Sequence, residues 1–166
     1  MLLAELYPQA TVLANGTATA RRVLAALDDS WLAHVVAHGT FRADNPLFSS
    51  LQLDDGPLTV YDIEGMNRAP HRLVLSACES GRAAPAGADE LLGLASSLMP
   101  MGTVGIVAAV VPVSDRVTPS VMRSLHGRVA DGAGFPDALR LARADATDTG
   151  DPVALATACS FIALGV

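Results

Sequence analysis

Three apolar runs constrain this chain most: "WLAHVVA" at residues 31–37, "RLVLS" at 72–76 and "GTVGIVAAVVPV" at 102–113. Each is continuously apolar rather than alternating, the pattern of a strand covered on both faces. Such strands need helices above and below them, and helix-patterned segments lie between and around the runs. "TATARRVLAALDD" opens on a Thr available as a cap, sets Val23, Leu24 and Leu27 on one face and stops at Asp28-Asp29. "DELLGLASSLM" reads as a helix capped by Asp89 and ended by Pro100, and "TPSVMRSLHGRVADG" as one with Pro119 in its first turn and Gly132 past its end. "FPDALRLARADA" is a further helix, and "ALATACSFIALGV" reads as a closing strand. Strands alternating with helices predict an α/β chain, a sandwich built on a mainly parallel sheet.

Two smaller signals interrupt the alternation. "LQLDDGPLTV" alternates around Asp-Asp-Gly and predicts a short hairpin, after which Thr59 caps a brief helix running to Gly65. "RAAPAGA" at 82–88 is a small-residue loop, and the first 15 residues carry little structural signal.

The chain has 166 residues, enough for one domain with one sizeable core, so residues 1–166 are read as a single domain. Just over half of it, 51%, is hydrophobic, which sets it apart from disordered chains. The net charge is −6 and the 11 basic residues, all Arg, form no strip, so phosphate-backbone binding is excluded as the main activity and no nucleic-acid partner is expected. The longest apolar run, Val104 to Val113, is about half the ~20 residues that cross a bilayer. "MLLAELYPQA" lacks the basic start of a signal peptide. With two cysteines, Cys78 and Cys159, there is no disulfide framework. Together these predict a cytoplasmic protein with no membrane partner.

The strand ends carry the candidate chemistry. "HVVAHG" ends one apolar strand on His38-Gly39, and "LVLSACESG" ends another on Cys78. If the two strands are parallel neighbours, both side chains emerge at the carboxyl edge, where open α/β sheets bind ligands. A thiol needs a base within reach to form thiolate at neutral pH, and imidazole supplies one. The amides of Gly39 and Cys78 together form a candidate oxyanion hole, a device worth about 2.7–4 kcal/mol per donor. Taken singly, a cysteine at a strand end is more often packing than nucleophile; the pairing of the two strand ends is what raises the reactive reading. His34 falls inside its strand as a core or supporting residue, His71 and His126 read as solvent-side, and Cys159 as packing in the last strand. No Cys/His pair has metal-ligand spacing, so neither a metal nor any other cofactor is expected. Glycines 81, 87 and 93 lack a nucleotide-binding arrangement. Without a Gly-x-Ser-x-Gly elbow, a small-molecule hydrolase on a flavodoxin-like sheet is disfavoured.

"VVAHGTFRADNPLFSSLQLDDGPLTVYDI" followed by "LVLSACESG" resembles the CHAT domain family, caspase-like cysteine peptidases related to separases and gingipains. "GADELLGLASSLMPMGTVGIVAAVVPVSD", "FPDALRLARAD" and "FIALG" extend the resemblance from about Thr17 to the end. It implies a three-layer α/β/α sandwich of caspase-like type and a cysteine endopeptidase with His38 as base and Cys78 as nucleophile. It further implies Ser76 on the wall of the first specificity pocket and Asp115 at the acidic position that faces a basic side chain. Asp115 also stands where a residue before the Thr118-Pro119 helix start would cap it. Protein or peptide substrates follow, with a regulatory protein partner or a homo-oligomer as further expectations. Two departures stand out. Val111 occupies a position where many members carry Trp, and the strand and helix that usually precede the matched region are not apparent, so the domain is expected to be truncated on its N-terminal side. A second function class therefore stands beside the enzyme: a catalytically inactive interaction module on the same fold.

Overall fold

In a computed structural model the described residues are 3–40, 42, 45–76 and 97–166. Among them, four strands form the central sheet: β1 (Leu32–Val35), β5 (Arg72–Leu75), β6 (Gly105–Ala109) and β7 (Phe161–Gly165), side by side in that order. β1 and β5 run parallel with Val35 opposite Leu75, and β5 and β6 run parallel with Leu75 opposite Ala108. β7 closes the sheet antiparallel to β6. A second, three-stranded antiparallel sheet is built from β2 (His38–Thr40), β3 (Ser50–Leu53) and β4 (Gly56–Thr59).

Helices α3 (Thr118–Ala130), α4 (Phe135–Asp148) and α5 (Pro152–Cys159) cover one face. There Val74 and Val107 meet Val121, Leu125, Phe135, Leu139 and Phe161 in one core cluster. Helices α1 (Ala20–Leu27) and α2 (Val60–Glu64), with the small sheet, cover the other, where Leu73, Leu75 and Ile106 pack on Val23, Leu27, Leu58 and Ile63. The alternation of Leu73, Val74 and Leu75 between the two clusters follows from the strand period of two. The result is the expected three-layer α/β/α sandwich on a mainly parallel sheet.

The continuous apolar runs behave differently by position. β5 and β6 are central and almost wholly buried, whereas all four residues of β1 are half-buried. β1 stands at the end of the strand order, with β5 as its one neighbour among the described residues. A run such as "WLAHVVA" does not distinguish a central strand from an outer one.

Local chemistry explains the element starts. Thr59 accepts from the Asp62 amide while the Asp62 carboxylate accepts from the Thr59 amide, a complete capping box for α2. Thr19, the expected cap of α1, makes no side-chain cap bond. The hairpin turn does that work: Asp55 Oδ1 accepts from the Ala20 amide at 2.9 Å and Asp54 Oδ2 from the Ala18 amide at 2.8 Å. A pair of carboxylates 35 residues away in sequence thus meets the positive end of α1.

The segment expected to be one closing strand is two elements. Residues 152–159 form α5, with Asp151 capping at the Val153 amide and Pro152 in the first turn, and the strand begins only at Phe161. Arg143 of α4 fastens the junction, donating to the carbonyls of Phe161 at 2.6 Å and Ala158 at 3.4 Å. Cys159 is therefore an exposed residue at a helix end and not a packed strand residue.

Two features mark the amino-terminal end of the sheet. Gly105 and Gly165 are register partners, and a Cβ on either would collide with backbone of the opposite strand, at the Val166 carbonyl for Gly105 and the Val104 carbonyl for Gly165. Arg72 places its guanidinium carbon 5.5 Å from the centroid of the Trp31 ring and 5.6 Å from that of Phe135. The helix expected over 89–99 lies outside the described residues except for Ser97 and Leu98, which are helical. It gives way to a 3-10 turn, Met99–Met101, ended by Gly102 at φ 109°.

Candidate functional site

The topology brings three segments to one edge. β1, β5 and β6 are parallel neighbours, so the chain leaves each of them at the same carboxyl side of the sheet. His38 follows β1, Ser76 follows β5 and Asp115 follows β6. The ladder continues one step past β5, where the Ser76 amide donates to the Val35 carbonyl at 2.9 Å.

His38 is not on β1 itself. After Val35 the chain passes through exposed Val36 and enters β2, where His38 pairs with Gln52 and Gly39 with Leu51. His38 is exposed and Gly39 buried. Gly39 thus sits within a strand and not beyond the end of one. Asp115 is exposed in the segment between β6 and α3, and no side chain caps α3, so the capping role expected for it as an alternative is not made. Cys78, with the amide expected to serve the oxyanion hole, lies outside the described residues, as do glycines 81, 87 and 93 and the loop expected at 82–88.

Ser76 is more deeply placed than a pocket-wall residue need be. It is 6% exposed, and its Oγ lies 2.9 Å from His34 Nε2. His34 Nδ1 in turn lies 3.0 Å from His126 Nε2, with the two rings parallel to within 5°. His126 Nδ1 lies 3.0 Å from the Tyr7 hydroxyl, which also donates to the His126 carbonyl at 3.2 Å. A continuous row of side chains therefore runs from the N-terminal segment through α3 and β1 to the carboxyl end of β5. Burial holds both imidazoles uncharged, bringing His34 down to about 3, with the neighbouring His126 adding to the effect, and His126 to about 4. Burial also raises Tyr7, which keeps its hydroxyl proton.

His126 corrects a sequence expectation: read as solvent-side, it is 1% exposed. The signal was present, because Met122, Leu125 and Val129 flank it at core-facing helical spacing. His71 is exposed and His34 lies within the sandwich, as expected. Tyr7 gave no sequence signal. Residues 3–19 form no helix or strand, yet Tyr7 bonds to α3, Leu3 packs on the core and Glu5 pairs with Arg123 at 3.6 Å.

Among the described residues no group of three His, Cys, Asp or Glu side chains is placed to hold a metal ion, and no helix is long and apolar enough to cross a membrane. The family model for the CHAT domain matches residues 2–155. The chain belongs to the CHAT domain family. This is a family of caspase-like fold, and the sandwich described above agrees with it. The CHAT match includes β1, β5 and β6 together with His38, Cys78 and Asp115. No curated protein matches the chain.

Proposed function

We propose that this CHAT domain is a cysteine endopeptidase using His38 and Cys78, acting on protein or peptide substrates in regulated proteolysis. One observation carries the reading: β1 and β5 are parallel neighbours with Val35 opposite Leu75, and His38 and Cys78 each follow those partners by three residues in the sequence. Membership of a caspase-like family supports it.

In this reading His38 takes the thiol proton of Cys78, and the thiolate adds to the scissile carbonyl. The amides of Gly39 and Cys78 bind the resulting oxyanion. Collapse breaks the C–N bond, His38 protonates the departing amine, and a thioester remains on Cys78. Water deprotonated by His38 then hydrolyses the thioester and returns the thiol. The chain's own residues suffice, with no metal or organic cofactor. Ser76 and Asp115 border the pocket for the residue before the cut bond, and the Asp115 carboxylate favours Arg or Lys there.

Labelling with iodoacetamide or a peptidyl acyloxymethylketone tests the dyad. Selective, pH-sensitive modification of Cys78 that is lost in His38→Ala supports the peptidase. Reactivity equal to that of exposed Cys159 supports the inactive interaction module instead. A peptide library cut by the parent and by Asp115→Ala with the same preference removes the pocket assignment.

A further inference from the structure

The contacts of the row formed by Tyr7, His126, His34 and Ser76 favour one proton order. The Tyr7 hydroxyl has one proton, and the His126 carbonyl accepts it. The 3.0 Å contact of the same oxygen with His126 Nδ1 is then a bond only if Nδ1 carries a proton. His126 is held neutral, so its Nε2 is bare and accepts from His34 Nδ1. His34 Nε2 is bare in turn and accepts from the Ser76 hydroxyl. The reverse order, with every proton passed towards Ser76, leaves the carbonyl contact unmade and the buried Ser76 proton without an acceptor among the described residues, which costs stability.

We propose that Tyr7, His126 and His34 are positioning residues that together lock Ser76, and with it the carboxyl end of β5, in one orientation set from the N-terminal segment. Each side chain stands on a different segment: the N-terminal segment, α3, β1 and the residue that follows β5. Docking of residues 3–10 on α3 is thereby coupled to the strand end two residues before Cys78. The assignment rests on hydrogen-bond geometry and holds whether or not Cys78 is a nucleophile.

Nitrogen-15 NMR of the histidine side chains in the full chain tests it, with Ser76 amide exchange as a second readout. The expected spectrum has both His34 and His126 as neutral Nδ1–H tautomers, unchanged from pH 5.5 to 8. Tyr7→Phe is expected to abolish the fixed tautomer at both histidines and to speed exchange of the Ser76 amide about tenfold. Glu5→Gln, which removes only an exposed ion pair of the same segment and leaves Tyr7 docked, leaves both readouts as in the parent. Ser76→Ala is expected to alter the His34 signal and Ser76→Thr, which keeps the hydroxyl, to restore it. An Nε2–H tautomer at either ring, or a Tyr7→Phe spectrum identical to the parent, overturns the proposal. Because no arm reads activity, its failure is distinguishable from failure of the peptidase reading.

Discussion

Gly105 and Gly165 face one another across β6 and β7 so closely that neither position has room for a Cβ. The antiparallel closure of the sheet depends on that approach, and the sequence hinted at half of it: Gly105 stands inside an otherwise apolar strand run.

Gly105→Ala is expected to destabilise the fold by roughly 1–3 kcal/mol, because the methyl group meets the Val166 carbonyl and the Phe135 ring. Urea unfolding should show a lower midpoint with an unchanged slope. The same substitution at Gly127, which has open space around it, should cost nothing or stabilise α3.

Asp55→Ala removes the carboxylate at the start of α1 and is expected to cost about 1 kcal/mol, whereas Asp55→Asn retains an acceptor and most of the stability. Thr19→Ala should be nearly silent by comparison, since its side chain makes no cap bond. Thermal melts of the three variants check the ranking.

Arg143→Met is expected to cost about 1.5–3 kcal/mol by removing charged hydrogen bonds to the Ala158 and Phe161 carbonyls. Methionine preserves the stem's packing, so the loss reports on the carbonyl contacts. Equilibrium denaturation measures it.

Acid should weaken the fold in a defined window. An unfolded chain protonates its histidines near pH 6.5, but the folded chain leaves His126 neutral down to about 4 and His34 to about 3. Between those values the unfolded state binds more protons, so the contribution of these two histidines is constant above pH 6.5, falls by on the order of a few kcal/mol as pH drops, and levels off near pH 3. His34→Gln with His126→Gln should flatten that limb in a pH series of urea midpoints.

The central architecture was legible because strand and helix differ in period, and the strands at 72–76 and 102–113 and the helices at 118–130 and 135–148 each keep one period throughout. α5 was lost because "VALATAC" is apolar on every side, and period carries no information there; the Asp151-Pro152 start was the readable clue. β1 was taken as doubly covered because apolarity reports a residue's preference and not its position in the sheet. For the site, Ser76 and Asp115 came only from the family resemblance, whereas the strand ends pointed to His38 and Cys78. They could not reveal that His38 joins a second sheet, because β2 exists only through its pairing with β3. Nor could they reveal the inner row, since Tyr7 and His126 stand 119 residues apart.

The Arg72 guanidinium between Trp31 and Phe135 has an optical consequence. Trp31 is the chain's single tryptophan, and it stands at the opposite end of the strands from His38 and Ser76. Its half-exposed ring has a cation 5.5 Å away that separates from it when the strands part, and its emission is expected to change with that separation. The emission therefore tracks unfolding of the molecule and stays blind to whatever occupies the far rim.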